Sequence, residues 1–134
     1  MNNVLFVCIE NSCRSQMAEA FANMHGQETI KAFSAGSRPS GTVSDKAIAA
    51  MREVGYDLGT HASKSLDEIP DMEYDLAVTM GCGDECPLVR ARERRDWAIP
   101  DPRDMQGAEF SRVRDHIEQR VLDLVAELDR KARE

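Results

Sequence analysis

Val4-Leu5-Phe6-Val7 is an unbroken apolar run with β-branched ends, and no other stretch limits the possible folds as much. A strand with one face in water alternates apolar and polar residues. One that is apolar throughout is buried on both faces, as in a parallel sheet. The polar residues Glu10, Asn11 and Ser12 interrupt the run. From Arg14 onward Met17, Phe21 and Met24 recur at intervals of four and three, the period of a helix. Cys8 therefore closes a strand, and Arg14 stands in the first turn of the helix that follows.

A loop between a buried strand and a helix start gathers backbone N–H groups and the positive helix end around one point, which makes an oxyanion site. Ile9, Glu10, Asn11, Ser12, Cys13 and Arg14 are the expected anion-binding residues. A thiol reacts as its thiolate, and a helix N-terminus with a nearby cation brings cysteine pKa values into a range of roughly 3.5–7.5. Cys8 is thus the candidate nucleophile. Arg14 suits a bidentate contact to the anion, Ser15 a hydrogen bond to the sulfur, and Asn11 side-chain bonds to its own backbone that tighten the loop. Cys-x5-Arg alone recurs by chance, so its setting between strand and helix carries the inference. Cys13 is expected to pack inward, with no part in the chemistry.

Gly26 is a helix stop, and Thr29 to Ser34 reads as a second strand followed by a loop over Ala35 to Gly41. Ser44 caps a helix with Ala47, Ile48, Met51 and Val54 on its apolar face, ended by Gly55. Ser65-Leu66-Asp67-Glu68 is a capping box that starts a short turn before Pro70. Tyr74 to Met80 is the third strand, followed by a glycine-flanked loop, Gly81 to Pro87. Leu88 to Asp96 is charged and reads as helical, with Arg90, Arg92, Arg94 and Arg95 on a solvated face. Trp97-Ala98-Ile99 reads as a short fourth strand, Pro100-Asp101-Pro102 as a turn, and Phe110 to Leu128 as a long amphipathic helix. The alternation predicts a single α/β domain over residues 1–134, a four-stranded parallel sheet flanked by helices. Ligands of such sheets bind beyond the carboxyl ends of the strands. The Cys8 loop, the Cys82–Cys86 loop and Asp101 all fall there.

Charge narrows the partners. With 17 basic and 24 acidic residues the formal charge is −7, which argues against nucleic acid and makes one arginine at an anion loop more informative. No apolar stretch approaches the ~20 residues needed to span a bilayer, and residues 1–20 show no signal-peptide pattern. A cytoplasmic monomer without a membrane partner is expected. In that reducing compartment four cysteines read as catalytic, redox-active or metal-binding.

Asp101 stands between two prolines that stiffen its backbone. A carboxyl beside a thiolate–oxyanion site suits protonation of a leaving oxygen if burial or the anion raises its pKa. Cys82 and Cys86 admit three readings: buried small apolar residues, half of a four-thiolate metal site with Cys8 and Cys13, or a redox pair. The flanking Gly81 and Gly83 give backbone freedom, and a three-residue spacer lets two Cα atoms come within the ~6.8 Å of a disulfide. The redox reading is favoured, and no metal is expected. His25 and His116 are expected on solvated helix faces.

These residues resemble the arsenate reductases built on the low-molecular-weight protein tyrosine phosphatase fold. The match runs through Val7-Cys8-x-x-Asn11-Ser12-Cys13-Arg14-Ser15-Gln16-Met17-Ala18-Glu19, Ser34-Ala35-Gly36, Val78-Thr79, Cys86-Pro87, Asp101-Pro102 and Phe110-Ser111-Arg112-Val113-Arg114-Asp115. What the resemblance implies is a three-thiol relay. Cys8 attacks arsenate while Asp101 assists departure of an oxygen, Cys82 attacks Cys8 and releases arsenite, and Cys86 attacks Cys82 to leave a Cys82–Cys86 disulfide. A thioredoxin-type protein then reduces that disulfide, and no bound cofactor is implied. A related branch uses glutaredoxin or a low-molecular-weight thiol instead, as an arsenate–thiol transferase would. Glu10 stands where the family usually has glycine, Gly81 resembles an insertion, and the two later cysteines lie closer together than in thioredoxin-coupled members. Some members hold potassium with groups matching Asn11, Glu19, Ser34 and an aspartate after a His-x-Ser segment. Here His61-Ala62-Ser63 is followed by Lys64, whose ammonium is expected to replace the ion. The competing readings are a phosphatase acting on phosphotyrosine or small phosphomonoesters, and a non-enzymatic thiol module that binds metal or arsenic. Arg103-Asp104 after Asp101-Pro102 offers no aromatic wall for a phenol ring.

Overall fold

The computed structural model describes residues 1–81 and 89–133. Four strands form one sheet: β1 (Asn2–Cys8), β2 (Ile30–Gly36), β3 (Tyr74–Thr79) and β4 (Ala91–Asp96). Their spatial order is β2-β1-β3-β4, and every pairing is parallel. Among the described residues the helices are α1 (Arg14–His25), α2 (Asp45–Glu53) and α3 (Ala108–Ala132), with short 3-10 turns at Leu58–Thr60 and Leu66–Glu68.

The apolar run of β1 is central for the reason its sequence implies, since both of its faces are covered. Val4, Phe6 and Cys8 point one way, because side chains alternate along a strand, into a cluster that holds Met17 and Phe21 of α1, Met51 of α2 and Ile117 of α3. Leu5 and Val7 point the other way, against Tyr74, Ala77 and Ala91, with Leu66, Ile69 and Met72 packed beside them. Phe6, Phe21, Met17 and Ile117 are fully buried, each worth about 1.5–3 kcal/mol in apolar surface removed from water. α1 is also buried at Ala18, Ala20 and Ala22, where small side chains let it lie close between the sheet and α3. The alternation brings Cys8 out at the carboxyl edge on the helix-bearing face, beside the start of α1.

Ser44 caps α2 by accepting from the Ala47 N–H, and the Ser65–Glu68 capping box forms with Ser65 N donating to Glu68 at 2.7 Å. β2 runs to Gly36, past the expected Ser34, because Ala35 and Gly36 continue the ladder opposite Val7 and Cys8. The larger correction is β4. Ala91–Asp96 is a strand, so the helix expected up to Asp96 does not form over these residues, and Trp97–Ile99 follows the strand instead of making it. β4 lies at one edge of the sheet, a position where charged side chains blunt an exposed ladder. Arg92 lies 3.5 Å from Glu73 and 4.0 Å from Asp75, and Arg90 lies 3.7 Å from Asp71. Arg95 makes two hydrogen bonds to Glu127 of α3, at 2.8 and 2.6 Å. Arg92, Arg94 and Arg95 thus belong to a strand, with Arg90 just before it, and not to a helix face.

Candidate active site

The loop Ile9–Cys13 joins β1 to α1 and is held from outside by its carbonyls. Ile9 O accepts from Arg38 N at 2.8 Å, Glu10 O from Ser40 N at 3.1 Å and Ser63 Oγ at 3.0 Å, and Ser12 O from Ser44 N at 2.8 Å. In a trans peptide the N–H points opposite to the C=O. Turning these carbonyls outward therefore directs the N–H groups of Glu10, Asn11 and Cys13 into the hollow of the loop. Asn11 takes the left-handed conformation (φ 48°) that the tight reversal requires, which asparagine tolerates better than most residues.

Gly36 explains how the loop can sit so close to β2. A Cβ there would meet Ile9 O at 2.5 Å, Cys8 O at 2.8 Å and Asn11 N at 2.9 Å, all of them backbone atoms. Only the absence of a side chain allows that approach.

Asn11 is fully buried, but its side chain does not bond to its own backbone as expected. Its Oδ1 accepts from Lys64 N at 2.7 Å and from Gln16 Nε2 at 2.9 Å. A backbone N–H can only donate, so this oxygen assignment is forced and Nδ2 is the group that faces Ser15 Oγ, at 2.9 Å. Ser15 Oγ lies 2.8 Å from Cys8 Sγ. With the oxygen already accepting from Asn11, the hydroxyl proton is directed to the sulfur.

Arg14 is anchored by two carbonyls beyond the ends of β3 and β4. Its Nη1 donates to Met80 O at 2.5 Å and to Ile99 O at 2.9 Å. That leaves Nη2 toward the cavity, 3.9 Å from Asp101 Oδ2. The cavity of about 330 Å3 is lined by Cys8, Ile9, Glu10, Ser12, Cys13 and Arg14, with Arg38, Asp101 and Arg103 opposite. Among the described residues no aromatic side chain lines it. Asp101 is not buried. Its side chain is 44% exposed, between Arg14 and Arg103. The Cys13 thiol is pushed up to about 12 by burial, then by the charges of Cys8 and Asp101.

The loop's support reaches deeper than the sequence suggested. Gln16 Nε2 donates to Asn11 O and Ala62 O, at 3.1 and 2.9 Å, which makes its Oε1 the acceptor from His61 Nδ1 at 2.9 Å. His61 Nε2 then accepts from the Tyr56 hydroxyl at 2.6 Å, and Tyr56 accepts from Asn23 Nδ2 at 3.2 Å. Burial lowers the His61 pKa, and Lys64 adds to this, against the opposing pull of Glu19 and Asp57. The Lys64 ammonium lies 3.8 Å from Glu19 Oε1, which also accepts from the Ser34 hydroxyl. His25 is exposed and 2.8 Å from Glu118, and His116 is exposed.

Cys8, Arg14, Ser15, Asp101 and the residues Ile9 to Cys13 are thus brought together. Cys82 and Cys86 lie outside the described residues. The preceding residue, Gly81, has φ 80° and donates to Asp96 Oδ1 at 2.8 Å. Arg38 and Arg103 were missed at the cavity, and so were the anchoring carbonyls of Met80 and Ile99. A main-chain acceptor leaves no mark in residue identities, whereas Arg103, two residues after Asp101, was there to be found.

Residues 3–134 match the family model of the low molecular weight phosphotyrosine protein phosphatases. A Synechocystis protein called a glutaredoxin arsenate reductase is 37% identical over 131 residues, covering 96% of this chain and 99% of its own. A solved arsenate reductase in its phosphate-binding state superposes with a TM-score of 0.86 at 37% identity, over 96% of this chain and 99% of that one. A thioredoxin-dependent arsenate reductase of Corynebacterium glutamicum superposes with a TM-score of 0.79 at 25% identity, over 98% of this chain and 63% of its own.

Proposed function

The chain belongs to the low molecular weight phosphotyrosine protein phosphatase family, and we propose that within it this protein is an enzyme that reduces arsenate to arsenite. The observation that carries the reading is the Cys8 sulfur, 2.8 Å from the Ser15 hydroxyl in a cavity faced by Arg14 and Asp101. The Synechocystis relative and the solved structure in its phosphate-binding state, each matched over 99% of its own length, are named arsenate reductases.

In the proposed reaction the loop N–H groups and Arg14 hold the tetrahedral anion against Cys8. The Cys8 thiolate attacks arsenic, and one oxygen leaves as water with a proton from Asp101. This forms a sulfur–arsenic bond in which arsenic is still pentavalent. The Cys82 thiolate next attacks the Cys8 sulfur. The electron pair of the sulfur–arsenic bond passes to arsenic, which leaves as arsenite, and the two thiols that gave up those two electrons are joined as the Cys8–Cys82 disulfide. Cys86 attacks Cys82, frees Cys8 and leaves a Cys82–Cys86 disulfide for an external thiol reductant. The donor is a thioredoxin-type or glutaredoxin-type protein, or a low-molecular-weight thiol. The proposed location is the cytoplasm, and no described helix is long and apolar enough to cross a membrane.

Arsenate turnover with thioredoxin, glutaredoxin and low-molecular-weight thiols supplied separately tests the reading. Cys8→Ser should abolish activity with every donor. Cys82→Ser and Cys86→Ser should stop arsenate turnover while sparing hydrolysis of p-nitrophenyl phosphate, which needs only Cys8, Arg14 and Asp101. Equal loss of both activities would rule out the relay.

A further inference from the structure

The cavity is lined by two carboxylates, although its proposed substrate is an anion. Glu10 stands on the loop itself and Asp101 opposite it. One arginine joins them: Arg103 Nη1 lies 3.8 Å from Glu10 Oε1, and Arg103 Nη2 lies 3.5 Å from Asp101 Oδ2. Asp101 Oδ2 is in turn 3.9 Å from Arg14 Nη2. Charges therefore alternate around the mouth in the order Glu10, Arg103, Asp101, Arg14. Among the described residues Arg38 is the remaining charged residue of the lining. Three arginines among the described residues face two carboxylates, so opposite charges nearly balance around the mouth, and discrimination between anions falls to the type of hydrogen bond each wall offers.

The two walls ask for opposite things. The loop N–H groups and Arg14 are donors and require acceptor oxygens. An ionised carboxylate has no proton and only accepts. A tetrahedral oxyanion stripped of all its protons also only accepts, so an oxygen turned to Glu10 meets like charge and no hydrogen bond. An oxyanion that keeps one hydroxyl can turn that group to Glu10 and donate. Asp101 already has a role in the proposed reaction as a proton donor, whereas Glu10 has none.

We propose that Glu10 is a specificity-determining residue that restricts this cavity to tetrahedral oxyanions retaining a hydroxyl group, such as arsenate and phosphate, and rejects those without one at neutral pH, such as sulfate. The inference rests on the arsenate reading of the same cavity and defines its substrate class by protonation. Because the Glu10 side chain is 45% exposed, solvent weakens the repulsion, and the effect is a moderate factor in affinity.

Calorimetric titration of the reduced protein with inorganic phosphate and with sulfate, at neutral pH and equal ionic strength, tests this without turnover. Wild type should favour phosphate. Glu10→Gln should reduce the phosphate-over-sulfate ratio about tenfold, mainly through tighter sulfate binding. Glu10→Asp, which keeps the charge, should hold the ratio within about threefold of wild type. The proposal is overturned if the ratio is unchanged in Glu10→Gln, if Glu10→Asp relaxes it equally, or if wild type binds no phosphate. A Glu10-dependent ratio in a protein that turns over no arsenate with any donor would reject the reductase reading and leave this one standing.

Discussion

Ser15 Oγ lies 2.8 Å from Cys8 Sγ while accepting from Asn11 Nδ2, so the serine proton has one destination. Ser15→Ala removes the only donor the structure places on the sulfur through a side chain of α1, without touching the anion's N–H cradle. A hydrogen bond to a charged acceptor contributes about 1.5–3 kcal/mol. kcat/KM for arsenate should therefore fall about 10- to 100-fold, and alkylation of Cys8 by iodoacetamide at neutral pH should slow in parallel. An unchanged alkylation rate would show that the serine does not act on the sulfur.

Arg14→Lys should be far from conservative. The guanidinium spans the carbonyls of Met80 and Ile99 on one side and the cavity on the other, and an ammonium cannot do both. Activity should fall on the order of 10²–10³-fold, as when a preorganised oxyanion donor is removed. Because two buried carbonyls also lose a partner, the thermal midpoint should drop as well. A variant that loses activity with an unchanged midpoint would show that the anchoring carbonyls are dispensable.

The unbroken apolar run of β1 and the change of period at Arg14 made the centre of this site readable from residue types alone. Cys8, Arg14 and Ser15 depend on local order along the chain, which is what a sequence displays. β4 was misread because its strand character comes from its place at the sheet edge. Ala91–Asp96 has no β-branched residue, and its pairing with β3, together with the acids beside Arg90, Arg92 and Arg95, overrides propensity. The support of Asn11 was hidden for a related reason. Gln16 reads as one more polar helix residue until the fold brings His61, 45 positions away, within 2.9 Å of it.

His61 should make stability depend on pH in a definite sense. Burial lowers its folded-state pKa below the ordinary 6.5, so below that value the unfolded chain takes up a proton that the folded one resists. Stability is then complete above pH ~6.5 and declines as pH falls from there toward the folded-state value. Urea titrations of wild type between neutral and mildly acidic pH should show this slope. His61→Asn should be less stable at neutral pH, through loss of the Tyr56 and Gln16 bonds, yet show a shallower decline. A steeper decline in the variant would mean that another group carries the dependence.

Gly36→Ala tests whether the anion loop is set by its approach to β2. The added methyl would stand 2.5 Å from Ile9 O, 2.8 Å from Cys8 O and 2.9 Å from Asn11 N, and none of these backbone atoms can swing aside as a side-chain tip does. Either β2 withdraws, at the cost of its pairing with Cys8, or the loop lifts and its N–H groups lose their focus on the anion. Overpacking of this kind costs about 1–3 kcal/mol, and a displacement near 1 Å at the reacting centre costs on the order of 10²-fold in rate. The variant should therefore fold, unfold at lower urea, and bind phosphate poorly even though every catalytic side chain is present. Wild-type phosphate affinity in Gly36→Ala would mean that the loop holds its shape without β2. The carbonyl bonds from Arg38, Ser40, Ser63 and Ser44 would then be sufficient to shape it.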